Sequence, residues 1–443
     1  MTTYTSLLRL REFRALFGAQ AANVLAGSLA GLALATLVDR ATGSPLLTAL
    51  AVFAPTLANV LGAATAMSLA DGRSPRAAVV ALQAAIALGL LAQALPGLPL
   101  WARFALLLLM GLLSSVSGGI RTAVMSEVVG IEAYARARSL LNVSVGVMQV
   151  AGYALGAGVL AAVGPSRTFL LAAGLAATST LTLRLGVRRH SVRAAVRPSL
   201  RQTATTNAWL ARQRPLRPVL LALWVPNGLV VGCEALFVPY AGERGGWLFM
   251  AAAVGMLAGD LVVGRVLTPA WRARVGPWLR LQLAVPFLFF ALSPGLPVAM
   301  VLAAVACVGY AATLPLQELL LVLTPDRVRG QVQGVEQAGR MTCQGLGAVL
   351  AGTVAEVVPV GTAMGVMAVL SVLVTLAVMP GVARSGRSLV EQRDLGGVDE
   401  PAGRDGDLDE HHGDPAVEEP RDEAGQVVVG RDPVAEGRGH HDR

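Results

Sequence analysis

Twelve long apolar stretches, six on each side of an arginine-rich break at 187–217, limit what this chain can fold into. A bilayer's hydrocarbon core takes about 20 apolar residues to cross as a helix. That many such runs cannot be packed as the core of a soluble domain. The pattern predicts an all-α polytopic membrane protein of two pseudo-symmetric six-helix bundles. The N-terminal bundle is expected over 1–186, a basic linker over 187–217, the C-terminal bundle over 218–381 and a tail over 382–443.

The expected spans are 15–38, 45–70, 77–95, 102–123, 140–163 and 167–186, then 218–241, 247–267, 279–293, 297–323, 338–358 and 360–380. Gly43-Ser44-Pro45, Pro96-Gly97-Leu98-Pro99, Gly164-Pro165 and Ser293-Pro294-Gly295 mark turns between them. Charged residues make up only 14% of the chain, against roughly 25% in soluble domains. All 36 basic residues are arginine, which reads as coding bias. The net charge of +8 averages two regions: from Arg384 onward 8 arginines meet 16 acids, and before it 28 meet 12. The arginines lie between apolar runs and not on one polar face, so no nucleic-acid partner is expected.

Loop arginines set the orientation, because cytoplasmic loops carry the excess. With the N-terminus inside, the inner segments hold 24 arginines and the outer ones 4, namely Arg40, Arg103, Arg167 and Arg244. Both termini are therefore expected in the cytoplasm, with the protein in the cell membrane. The linker's second half, 199–213, is expected to lie along anionic lipid with Trp209 and Leu210 toward the membrane. The tail is too poor in large apolar residues to bury a core and is expected to be disordered. Its two histidine pairs are a weak metal signal, and no metal or cofactor is expected. Cys233, Cys307 and Cys343 all fall in apolar runs and imply no disulfide framework. The N-terminus shows no small-residue cleavage site, so an uncleaved first helix is expected.

A shift of 195 residues places Gly130–Arg136 on Pro325–Gln331, and Gly152 and Ala157 on Gly347 and Gly352. Such parallel repeats are one plan for transporters, with a substrate site at the midplane between the halves. Several segments carry a resemblance in order and spacing: FRALFGAQ from Phe13, ATGSPLLTAL from Ala41 and SLADGRSPR from Ser68, then NAWLARQRPLRP from Asn207, GCEALFVPYA from Gly232 and TPDRVRGQ from Thr324. Over roughly 8–381 the chain resembles the major facilitator superfamily, and looks most like its drug- and metabolite-exporter branch. There are departures. Met67 and Gly72 replace a glycine and an arginine of the loop motif, Gly27-Ser28 stands where the branch often carries an acid, and Gly152–Gly158 lacks the antiporter proline.

The resemblance implies a cavity lined by the first, fourth, seventh and tenth helices. Each carries a polar stripe at helical spacing. The candidate substrate contacts are Gln20 and Asn23, Ser114 and Ser117, Asn227 and Glu234, and Tyr310, Thr313 and Gln317. The bland reading of such residues is packing glue between helices. Glu234 is also the candidate proton carrier, since a carboxylate at depth is costly to keep charged. Asp71, Arg73, Arg76, Arg121 and Asp260 are candidates for gating, with a cross-helix partner expected for Asp260. The clusters Gly152/Gly156/Gly158 and Gly345/Gly347/Gly352 are expected to let helices approach closely.

The expected function is secondary transport of a small lipophilic or amphipathic molecule by alternating access, export first, with proton antiport as an option. The expected partners are the substrate, protons and the bilayer, and the expected state is a monomer. Import or facilitated diffusion, or a transport-inactive sensor, are the alternatives. An enzyme is not expected: His190 is the only histidine outside the tail, and a chain without lysine cannot hold a G-x-x-x-x-G-K phosphate loop.

Overall fold

A computed structural model describes residues 4–65, 75–188, 210, 213–325 and 328–396. Among the described residues the regular structure is all helical, and the apolar runs form helices because lipid leaves backbone groups no other partner than their own segment. After a short leading helix, Tyr4–Arg9, come α1 (Arg11–Thr42), α2 (Pro45–Thr65) and α3 (Pro75–Gln93). One helical run, Leu100–Gly186, is broken at Gly130 (φ 71°) and Gly164 (φ 78°) into α4 (Leu100–Gly130), α5 (131–163) and α6 (165–186). A positive φ at both turns favours glycine, and Pro165 then opens the next helix.

The second half begins with α7 (Leu216–Ala235, continued by Phe237–Ala241) and α8 (Gly245–Leu261, closing in a π turn at Val262–Val266). There follow α9 (Pro269–Leu288 with a 3-10 turn Phe289–Leu292) and α10 (Leu296–Val308 and Thr313–Val322 around a 3-10 turn Gly309–Ala312). The last two are α11 (Arg329–Ala355) and α12 (Val360–Gly396). Among the described residues one compact unit extends to Asp394.

By length and composition, 8 stretches among the described residues can cross a membrane. Two of them, Arg136–Gly186 and Leu216–Val266, hold two helices each, and Pro45–Ala58 is a shorter apolar helix. α11 is too polar to qualify, yet it packs among the others. It begins at Arg329, nine residues before the expected span, because Glu336 is buried and paired with Arg340 one turn on (Nε–Oε1 3.0 Å). α12 runs past the expected boundary at 381 to Gly396. Pro380 inside it does not end the helix, since membrane helices tolerate proline where neighbours satisfy the freed groups.

The halves repeat the same contacts. α5 lies on α1 at Gly152, where a Cβ would fall 2.7 Å from that of Ser28. α11 lies on α7 at Gly347, where a Cβ would fall 1.9 Å from the Gly228 carbonyl oxygen. Small residues allow this approach, and close packing holds helices together in lipid. Gly158 departs from the expectation: nothing lies within 4 Å of its Cβ position.

Toward the face opposite the chain's N-terminus, here the far face, the halves are pinned together. Arg40 at the end of α1 pairs with Glu243 between α7 and α8. Ser44 Oγ (2.5 Å) and the Leu46 N–H (3.2 Å) both donate to Glu356 Oε1 after α11. Gly352 abuts Leu46, and Gly246 abuts Leu32 and Ala157. One apolar cluster spans both halves here, with Leu32, Ala157 and Phe169 beside Phe237, Phe249 and Phe287. Toward the N-terminal face the core divides. Phe13, Leu16, Met125 and Leu183 form a cluster from the first half only, and Leu216, Leu223, Leu320 and Val332 one from the second. Among the described residues the bundles thus share one apolar core toward the far face and hold separate apolar clusters toward the other.

Leu210 belongs to the second of these clusters and is 3% exposed, so it packs into protein and not toward lipid as expected. Trp209 and most of the linker lie outside the described residues.

Candidate functional site

Glu234 lies near the end of α7 and is 5% exposed. Two neutral donors from α10 converge on its Oε1: the Tyr310 hydroxyl at 2.8 Å and the Cys307 thiol at 3.5 Å. Tyr310 sits in the 3-10 turn of α10 beside Gly309, where a Cβ would fall 2.5 Å from the Leu283 backbone nitrogen of α9. The glycine lets α10 lie against α9 while the turn carries Tyr310 to the carboxylate. No cation pairs with Glu234 among the described residues. Tyr153 of the first half stacks on Phe249, ring centroids 5.0 Å apart, and Phe249 meets the edge of Phe237, three residues after Glu234, at 5.1 Å. The carboxylate therefore stands close to where the halves meet.

The other second-half candidates do not join it. Asn227 turns to α11 and accepts from Gln344 Nε2 at 2.8 Å. Thr313 Oγ donates to the Tyr310 carbonyl at 2.8 Å, closing the turn. Gln317 is part-buried on α10. Glu318 pairs with Arg272 across α10 and α9.

In the first half Gln20, Asn23, Ser114, Ser117 and Arg121 line one cavity of about 390 Å³, together with Gln83 and Gln93 of α3. Leu34, Ile86, Leu90, Leu107, Met110 and Phe169 complete its wall. The expectation of one cavity shared by all four stripes is thus corrected. This space is lined by first-half helices alone. Asn23 and Gln83 hold each other in a reciprocal amide pair, 3.0 and 2.5 Å, tying α1 to α3. Gln83 was not singled out from the sequence, since one glutamine in an apolar run looks like packing.

The gating candidates disperse. Arg121 lines the cavity, and its Nη1 is buried without a hydrogen-bond partner among the described residues. Arg76 donates to the Arg184 carbonyl in the last turn of α6, a place where a cation also suits the helix dipole. Asp260 is exposed at the end of α8 and, against expectation, has no hydrogen-bond or ion-pair partner among the described residues. Asp71 and Arg73 lie outside the described residues. Arg103, counted above as a loop charge, is buried and caps α3 through the carbonyls of Gln93 (2.7 Å), Leu98 (3.2 Å) and Leu95 (3.3 Å).

The profile of the Major Facilitator Superfamily matches residues 16–334, which is most of the chain. The chain belongs to this superfamily. Major facilitator proteins are transporters and not enzymes. No curated protein matches the sequence. Among solved structures it is similar to a POT family transporter in complex with a thioalcohol-conjugated peptide, at 10% identity and TM-score 0.69, covering 85% of this chain and 96% of that one. A mutant of the nucleoside transporter NupG follows at 14% and 0.63, covering 83% and 99%. A bacterial homologue of the human lysosomal transporter Spinster, inward-facing and unoccupied, stands at 14% and 0.59, covering 87% and 97%. At these identities the likeness shows the major facilitator fold and leaves the substrate open.

Proposed function

We propose that this major facilitator protein is a proton-coupled exporter of a small amphipathic molecule, working by alternating access. The observation that carries the reading is Glu234, a buried carboxyl held by a hydroxyl and a thiol and by no cation among the described residues, beside the meeting surface of the halves. A carboxyl in such surroundings is costly to ionise without access to water. It can take up a proton in one conformation and release it in another. The halves 1–186 and 218–381 are the rocking bodies, and the linker 187–217 tethers them. The face carrying the N-terminus is read as cytoplasmic from the arginine count, which makes the closed far face the outer one. The protein is read as a monomer in the cell membrane, with the 382–443 tail in the cytoplasm.

Everted membrane vesicles test this with a panel of lipophilic antibiotics and dyes. Proton-gradient-driven accumulation that is lost in Glu234→Gln, with expression unchanged, is expected. Unaltered accumulation in that variant removes Glu234 from the coupling. Gradient-driven uptake in right-side-out cells would make the protein an importer.

A further inference from the structure

We infer that the cavity inside the first half binds a small organic monoanion, its carboxylate seated on Arg121 and Ser117. The inference names the substrate class of the proposed transporter and rests on that reading only for the step of transport. Ser117 is 1% exposed, and its Oγ, like Arg121 Nη1, is buried without a hydrogen-bond partner among the described residues. The two residues are four apart on α4 and so share one face, one turn from each other. Both line the 390 Å³ cavity, a volume within the range of roughly 300–1,000 Å³ for small-molecule sites.

Buried polar groups are ordinarily paired, and an unpaired guanidinium is the least tolerable of them. Three amides of the wall are already engaged. Asn23 and Gln83 bond each other, and Gln93 donates to the Arg103 carbonyl at 2.9 Å. Among the fully buried polar atoms of the wall, one guanidinium nitrogen and one hydroxyl are left without a partner among the described residues, and a single carboxylate satisfies both with its two oxygens.

No aspartate or glutamate lines this cavity or the adjoining one of about 230 Å³. Gln20 and Arg121 belong to both, and Arg138 stands in the second. The polar groups an anion meets on entering from that side are Arg138, Arg121, Gln20, Asn142 and Thr122, none of them acidic. Most of the inner lining is apolar, so the body that follows the carboxylate is hydrocarbon or aromatic. A second negative charge would find no second cation in the inner cavity.

The purified full-length chain in phosphatidylcholine nanodiscs tests this by thermal unfolding in titrations with benzoate, benzamide and benzylamine. Benzoate is expected to raise the midpoint saturably, and the neutral and cationic analogues to leave it unmoved. Arg121→Gln should abolish the benzoate effect. Arg121→Lys, which keeps charge but not the fork, should weaken it about tenfold. Ser117→Ala should weaken it several-fold; with the lysine variant it carries the test if Arg121→Gln does not fold.

Equal stabilisation by benzamide, or a benzoate effect that survives in Arg121→Gln, overturns the proposal. So does an Arg121-dependent rise produced by adding phosphatidylglycerol to the nanodiscs when benzoate itself does nothing, which assigns the site to a lipid headgroup. Arg121-dependent benzoate binding in a chain that exports nothing leaves this site standing and removes the transport reading. Export without benzoate binding does the reverse.

Discussion

Glu234 was legible in the sequence as a lone acid in an apolar run, but its partners were not. Cys307 and Tyr310 lie more than seventy residues away and reach it only because α10 packs against α7. A hydrogen bond to a charged group contributes about 1.5–3 kcal/mol. Tyr310→Phe and Glu234→Gln should therefore be non-additive in thermal unfolding of the purified protein, with a coupling of about 0.5–3 kcal/mol. Additive effects would mean that the pair does not interact. Arg103 teaches the opposite lesson. Counted as a loop charge, it is in fact a buried cap on three carbonyls. Arg103→Met leaves those carbonyls unpaired, at about 1–3 kcal/mol each where water does not reach them. It should lower the unfolding midpoint without changing which substrates the protein carries.

At the scale of the helices, the glycine clusters were legible as small-residue packing sites, though not which members of them pack. Gly347→Ala drives a Cβ into the Gly228 carbonyl and should separate α7 from α11. Loss of monodisperse protein in size-exclusion chromatography checks it. Gly158→Ala meets nothing within 4 Å and should gain about 0.5–1 kcal/mol of helix stability. The start of α11 was misplaced for a physical reason. Hydropathy penalises Glu336 and Arg340 as isolated charges, whereas on the helix they are one turn apart and pair. The first-half stripes, Gln20 with Asn23 and Ser114 with Ser117, face one cavity, whereas Asn227 turns to α11 and Glu234 to α10. Their division between an N-half cavity and a Glu234 cluster depends on which helices enclose each face, and no helix carries that information alone.

For the whole molecule, the far-face closure depends in part on Arg40 and Glu243. An exposed pair contributes only about 0–1 kcal/mol, but alternating states differ by only a few. Arg40→Glu should therefore raise the reactivity of a cysteine placed at Ala241 toward a membrane-impermeant maleimide by about two- to fivefold. Adding Glu243→Arg should return it, and an unchanged rate in both variants would exclude the pair from the closure. The all-α polytopic fold was written in the sequence, because the bilayer demands about 20 apolar residues per crossing. Which face is shut, and which polar groups meet across it, came only with the tertiary structure. These are contacts between residues from about 90 to more than 300 positions apart, each worth little and each set by the packing of every other helix.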